Sequence, residues 1–383
     1  MSKRTRVLIA GGGIGGLALA QALHRDGLDV VVHERDAALR TRDQGYRIHI
    51  NPDGNAALRA CLPPEVFDLV RDTSGRNTEL VAAYTHRMAQ VMAQTFPDPG
   101  PDFLTHVDRE TFRQSLFHGL DDIVRFGRSV AGYTITESGR VRVEFAEGGT
   151  DEGDILVGAD GVGSAVRKQL LPHAEPRDLG LRCIYGRMPI TEVTEPLIPA
   201  DFDRGFCWVG DEHGCGAGFA PQRFRTRPEG RGDYLMTTLV ATIERLGIPD
   251  ERLFALTPEE LWRLTIGASA DWDASVRELF AHADPETFCP ITIRVGDRIE
   301  PWRSGPVTVL GDAVHAISPT GGIGATTALQ DAATLAAQLA AAGRGGKPLA
   351  EAVADYESVM LPRGFGNVEM SVAMAAQLFG QAV

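Results

Sequence analysis

The chain has 383 residues, 43% of them hydrophobic and 23% charged, with a net charge of −13. That is the make-up of an ordinary soluble protein with room for one large domain or two of usual size. The acidic balance argues against nucleic-acid binding, where a basic face is expected, and against docking on anionic lipid.

No run approaches the roughly 18 apolar residues of a membrane span, and Lys3, Arg4 and Arg6 lead straight into a strand with no secretory segment before it. Cys61, Cys183, Cys207, Cys215 and Cys289 are odd in number and contain no C-x-x-C pair. This pattern predicts reduced thiols in a cytoplasmic protein, with no disulfide framework and no metal site.

Val7-Leu8-Ile9-Ala10 reads as a buried parallel strand, and Gly11 to Gly16 as its turn into a helix. Gly11, Gly13 and Gly16 fit G-x-G-x-x-G. The first glycine permits the tight turn, the second lets a pyrophosphate approach the backbone, and the third lets helix and strand pack closely. Leu17, Ala18, Ala20 and Leu23 continue at helical spacing to Gly27, so the amides from Gly13 through Ile14 and Gly15 to Gly16 face an anion. A second strand, Val30 to Glu34, ends in an acid 23 residues after Gly11, where a carboxylate accepts hydrogen bonds from an adenosine ribose. Arg35 and Asp36 follow, then a polar loop to Gln44.

Gly45 to Ile50 alternates like a strand, which puts Arg47 and His49 on one face. Asn51-Pro52-Asp53-Gly54 is a turn into helical structure, Thr78 to Ala93 has strand-like stretches, and the segment 97–101 is a proline-rich loop. Asp108 reads as the N-cap of a helix running through Phe112, Leu116 and Leu120. Arg109 stands in its first turn, where a cation opposes the helix dipole, so it is read as serving an anionic ligand or as a solvated side chain. Val141 to Phe145, Gly148-Gly149 and Asp154 to Val157 form a hairpin and a return strand into Gly158-Ala159-Asp160-Gly161.

Between Gly180 and Phe219, stretches rich in Tyr, Trp, Phe and Cys predict antiparallel strands. From Phe224 to Asp284 the chain reads as mostly helical, with Leu235, Leu239, Ile243 and Leu246 along one face. Val307 to Leu310 then starts another nucleotide-fold strand, followed by Gly311-Asp312 and a long alanine-rich helix that Gly343 ends. The tail at 372–379 reads as a helix packed on its own domain or on a sister subunit. The predicted fold is α/β, a Rossmann-like dinucleotide domain (1–77, 101–178 and 285–383) with an inserted mixed α+β substrate domain (78–100 and 179–284) built on an antiparallel sheet.

Two further stretches narrow this. Asp154 to Arg167 is a strand, a glycine turn and a helix start; Gly311-Asp312-Ala313-Val314-His315 is followed by Pro319, Gly322, Gly324 and Asp331-Ala332. With the opening glycines, these segments resemble the three motifs of the single-component FAD-dependent aromatic hydroxylases, the para-hydroxybenzoate hydroxylase-like monooxygenases, in their compact form without a thioredoxin-like C-terminal domain. The resemblance covers nearly the whole chain and is weakest across the middle.

It implies bound FAD, with the adenosine ribose on Glu34 beside Arg35 and the pyrophosphate over Gly11 to Gly16. Arg109 would help hold phosphates or the ribityl chain, and Asp312 would accept from ribityl hydroxyls. Amides of the helix opening at Gly322 and Gly324 would face the flavin's pyrimidine edge, with Pro319 beside the ring. Asp160 and Arg167 belong to the stretch associated with FAD and NAD(P)H; a salt bridge fixing the turn is the competing role. Arg47 and His49 are the catalytic candidates, Arg47 on an acidic substrate group or the flavin and His49 polarising a phenol; a polar surface pair is the alternative. Phe206, Trp208 and Phe219 form an aromatic wall over the substrate or plain core.

The sequence departs from the family pattern at Thr326, where many members have asparagine. It also has Val314 where alanine is usual before His315, a residue read as stabilising the turn. The implied activity uses NADPH or NADH and O2 to hydroxylate an aromatic or polyketide-type small molecule through a C4a-hydroperoxyflavin, in a monomer or homodimer. Epoxidation, Baeyer-Villiger insertion, dehydrogenation and non-catalytic flavin binding stay open.

Overall fold

The computed structural model describes residues 4–39 and 46–380. Residues 40–45, the end of the predicted polar loop and the glycine opening the Arg47 strand, lie outside the described residues. Four sheets organise the rest. The first is parallel and five-stranded, in the order β17 (Val307–Val309), β11 (Ile155–Gly158), β1 (Arg6–Ala10), β2 (Asp29–Glu34) and β7 (Val124–Phe126). Its strands are almost continuously apolar because both faces are covered, one by helices such as Ile14–Arg25 and the other in part by a three-stranded antiparallel sheet. β1 sits in the middle, so its glycine turn opens at a point where neighbouring strands come from distant parts of the chain.

The second large sheet has seven strands: β16 (Asp284–Val295), β12 (Arg177–Pro189), β15 (Tyr234–Thr242), β14 (Cys215–Gln222), β13 (Gly205–Gly210), β4 (Leu80–Thr85) and β5 (Gln90–Thr95). All neighbours are antiparallel except β13 and β4. β16 pairs along β12, so this sheet takes in residues 285–295, which the sequence reading grouped with the dinucleotide fold. A three-stranded sheet of β10 (Thr150–Gly153), β9 (Val141–Phe145) and β8 (Val130–Ile135) flanks the parallel sheet. A two-stranded ribbon, β3 (Arg47–His49) with β6 (His106–Asp108), carries the predicted Arg47 strand, shortened to three residues.

One predicted element is corrected. Tyr234 to Thr242 is a strand inside the seven-stranded sheet, and helices start only at Ile243–Leu246. Leu235 and Leu239 are four apart, a spacing that suits a helix face and equally the even repeat of a strand. Tyr234, Thr237, Thr238, Val240 and Thr242 carry the β preference, and burial on both faces removed the alternation that marks a strand. One face of this sheet packs under the helices Pro258–Ala268 and Ala274–Ala281, with Ile184, Cys207, Phe219 and Leu235 in that core. The other face turns toward the parallel-sheet half.

The C-terminal helix Leu349–Phe379 packs along the helix Gly324–Gly343 of the same chain, despite Pro362 in its interior. Its end places Phe379 edge-on to Trp208, 5.6 Å between ring centres. Among the described residues no disulfide joins the five cysteines, and burial pushes the thiols of Cys61, Cys207 and Cys215 up to about 12. Among the described residues no helix is long and apolar enough to cross a membrane.

Candidate active site

The glycine turn after β1 is built for close contact. Gly11 has φ +105°, and a Cβ there would stand 2.4 Å from the Ala159 carbonyl oxygen; one on Gly16 would stand 2.1 Å from the Gly11 oxygen. A Cβ on Gly15 would meet Leu310 and Ala328. The first motif therefore touches both the second, at Ala159, and the third, at Leu310. Arg167 closes the triangle, donating to the carbonyls of Val162 (2.7 Å) and Ala313 (3.3 Å).

At Gly13, by contrast, a Cβ would find open space, and the helix Ile14–Arg25 that starts there has no side-chain cap. Its first amides, those of Ile14, Gly15 and Gly16, have no acceptor within the helix and carry the positive end of the dipole. The helix Gly324–Gly343 opens in the same way, uncapped and preceded by Gly322 at φ +63°. The Gly322 turn lies beside His49, and Gly54 lies against Thr326.

Glu34, at the end of β2, is buried and accepts from the amides of Gly12 (2.7 Å) and Asp36 (2.8 Å). Arg113 holds this corner. It donates to the Gly12 carbonyl at 2.8 Å and lies 3.2 Å from both the Glu34 and the Asp36 carboxylates. The sequence reading missed Arg113, although it stands four residues after Arg109 and so on the same helix face. Arg109 itself stacks over the Tyr46 ring, 5.6 Å from its centre, and its charge reaches Asp312. Arg35 is exposed beyond β2. Asp160 caps a helix, with its oxygens accepting from Ser164 Oγ (2.5 Å) and the Ala165 amide (2.8 Å); burial raises its carboxyl.

In the third motif, Asp312 is open to solvent by area yet ringed by protein, the mark of a recess. Burial raises its carboxyl, against the nearby charges of His315 and Arg109. Behind it, Asp331 is fully buried and accepts from His315 Nε2 (2.6 Å), the Gly311 amide (2.9 Å) and Arg363 (2.9 Å). Burial opposes charge on both partners, and their attraction outweighs it: the imidazole is raised and the carboxyl lowered. This network, with His315 as the predicted turn stabiliser, fixes Gly311 at φ +59° and so aims Asp312. Pro319 is exposed at the start of the next turn.

The face of the β3–β6 ribbon that carries Arg47, His49, His106 and Asp108 looks at the inner face of the seven-stranded sheet, because Asp108 accepts a 2.9 Å hydrogen bond from Tyr234 Oη on β15. Tyr185, Phe206, Trp208, Gln222, Tyr234 and Thr238 share that inner face by register. Tyr46 stacks on Tyr185, 4.4 Å between ring centres. Of the predicted aromatic wall, Phe206 and Trp208 are on this side; Phe219 points away, against Phe202 and Phe280. Burial, then Arg47, pulls the His49 imidazole down to about 4, and burial pulls Arg47 down to about 10. At neutral pH, His49 is therefore a neutral base or hydrogen-bond donor beside a cation.

These features fit FAD: two uncapped helix starts, a buried acidic corner at Glu34 and an accessible aspartate belong to segments that pack around the glycine turn after β1. A family profile described as an FAD binding domain matches residues 123–369. The chain is 32% identical over 420 residues to the dual O-methyltransferase/FAD-dependent monooxygenase CTB3 of Cercospora beticola, across 98% of this chain and 46% of that protein. It is 30% identical over 365 residues to the aurachin C monooxygenase/isomerase of Stigmatella aurantiaca, across 93% of this chain and 85% of that one. The chain spans about half the length of the curated relatives it matches first. A crystal structure of a candidate FAD-containing monooxygenase from Photorhabdus luminescens subsp. laumondii TTO1 superimposes with a TM-score of 0.85 at 31% identity, over 98% of each chain.

Proposed function

We propose, from the premise that this chain belongs to the FAD-binding-domain family, that it is an NAD(P)H- and O2-dependent monooxygenase that hydroxylates an aromatic or polyketide-type small molecule. The observation that supports this most is the meeting of three separated motifs, with Gly11 on Ala159 and Gly15 on Leu310, two residues before Asp312. FAD would be held by residues of all three.

In this reading the amides from Ile14 to Gly16 receive the pyrophosphate, and Glu34, oriented by Arg113, receives the adenosine ribose. Arg109 and Asp312 hold the middle of the molecule, and the helix start at Gly324 presents amides to the far edge of its ring. When bound, FAD would supply the redox chemistry between NADPH or NADH and dioxygen. The chain's own residues then position and shield. Phe206 and Trp208 provide an apolar floor that keeps water from the acceptor, Arg47 supplies positive charge, and neutral His49 is available to take or hold a phenolic proton.

Purified protein is expected to be yellow, to consume NADPH or NADH faster when a fitting phenol is added, and to carry oxygen from isotopically labelled dioxygen into the product. Protein that stays colourless when FAD is supplied refutes the cofactor assignment. Label entering the product from water, or not at all, refutes monooxygenation.

A further inference from the structure

His33 and Glu34 are adjacent on β2, so their side chains leave the sheet on opposite faces. Glu34 turns to the glycine turn, where it meets the Gly12 amide. His33 turns to the three-stranded sheet, its ring centre 4.7 Å from that of Phe145 on β9. Between these layers lies a cavity of about 150 Å³, lined by His33, Arg125, Arg128, Phe145 and Asp151 among others. It is far larger than one water needs.

The base of this cavity is unsatisfied. His33 is only 4% exposed, and neither ring nitrogen has a hydrogen-bond partner. Native interiors leave few such groups bare. Asp151 Oδ2 stands 3.3 Å from His33 Nε2, but both Asp151 oxygens already lie 3.1 Å from Arg6 Nη2. Burial lowers the His33 pKa, with Asp151 opposing, so the ring is neutral at neutral pH. A neutral ring that turns its Nε2–H toward Asp151 has Nδ1 left as a bare acceptor.

The rim is cationic. Arg125 lies directly opposite His33 in the β2–β7 pair and, among the described residues, has no hydrogen bond or ion pair. Arg128 stacks over Phe145, 5.5 Å from the ring centre, and donates from Nη1 to the Gly148 carbonyl at 3.3 Å. Its charge also reaches Glu147, which accepts from the Ser129 amide. Asp151 is the one carboxylate lining the cavity, and Arg6 balances it. A ligand that completes these walls must bring anionic oxygens for two guanidinium forks and a donor for Nδ1. A carboxylate or a sulfate has no proton to give at neutral pH. A phosphate, whose second pKa is about 6, still carries one in part of its population.

We propose that this cavity is a second ligand site, which takes a phosphate that keeps a proton, free or as the monoester of a nucleotide. Its oxygens accept from Arg125 and Arg128, and its P–OH donates to His33 Nδ1. The proposal does not draw on the monooxygenase reading.

The test is a calorimetric titration of FAD-loaded protein with inorganic phosphate, and with sulfate, at neutral pH and matched ionic strength. Loading with FAD keeps the amides of the glycine turn occupied. Phosphate is expected to bind at least about tenfold more tightly than sulfate, which sets an acceptor against an acceptor at Nδ1. Arg125→Gln should weaken phosphate about tenfold or more, whereas Arg263→Gln, an exposed change on the helix Pro258–Ala268, should leave it within about twofold. In wild-type protein labelled with ¹⁵N, phosphate should shift the His33 ring signals and sulfate should not, a readout that needs no change at the buried histidine. Titrations with 2′-AMP and 5′-AMP separate the two sources: a monoester that outbinds phosphate and competes with it is the occupant, and failure of both to compete leaves free phosphate. Absence of phosphate binding, sulfate binding as tightly, unchanged affinity in Arg125→Gln, or His33 signals that stay still would each overturn the proposal.

Discussion

Asp331 is the sharpest place to test how the third motif is held. Replacing it with alanine removes the acceptor of three buried or half-buried donors at once: His315 Nε2, the Gly311 amide and Arg363. Among the described residues Arg363 keeps only Thr334, at 3.3 Å. Breaking one side of a buried charged group costs about 3–5 kcal/mol, and three lost hydrogen bonds at about 1–1.5 kcal/mol each give a similar figure. Such a loss is a large share of the roughly 5–15 kcal/mol that holds a domain together.

The pH dependence has a definite sign. Folding raises the His315 pKa, so that part of the stability is complete below the ordinary imidazole value of 6.5 and is lost as pH rises through the folded value. Folding lowers the Asp331 pKa, so that part is complete above 3.8 and is lost as pH falls. The pair therefore contributes most in mild acid, between those two values, and Asp331→Ala should cost most there. Urea unfolding of the FAD-free protein across this range measures it. A loss below about 1 kcal/mol, the worth of one ordinary hydrogen bond, or a loss that does not vary with pH, would refute the coupling described for this network.

Gly16→Ala sets a Cβ 2.1 Å from the Gly11 oxygen, a backbone atom with nowhere to go, so FAD retention should fail and the melting temperature should drop by an amount equivalent to about 1–3 kcal/mol. Arg113→Ala leaves the buried Glu34 carboxylate without its cation, so it should weaken FAD about tenfold in a fluorescence titration and also lower the melting temperature of FAD-free protein. His49 stays neutral down to about 4, so His49→Asn should leave the pH profile of turnover unchanged between about 6 and 8 while lowering its height; a neutral-pH limb that vanishes in this variant would show that His49 titrates there after all.

The cofactor half of the fold was legible because its constraints are local. Gly11 and Gly16 leave a signature in sequence, since no other residue fits their backbone, and Asp108 announces a cap three residues before the amide of Thr111 that it accepts from. Strand β15 was not legible, since leucines four apart satisfy two periodicities and burial on both faces hid the alternation. The cavity at His33 was invisible for a different reason. Nothing near position 33 reports that Phe145 and Asp151 will pack beside it, more than a hundred positions later, and only that packing turns an ordinary histidine into a stranded one. Arg113 falls between these cases: its helix face was readable, but its carboxylate partners were not.

The order of strands in the parallel sheet has a consequence for how the protein comes into being. Of these five strands β1 is made before the others, but the strand that flanks it on one side arrives some 150 residues later, and the edge strand beyond that only from residue 307. A nascent chain halted anywhere in between carries the glycine turn without the wall at Ala159 or the leucine at 310 that gives it shape. Flavin capture is therefore expected to be a late event in biosynthesis, following release of the alanine-rich helix, and fragments that end before it should leave the translation machinery colourless.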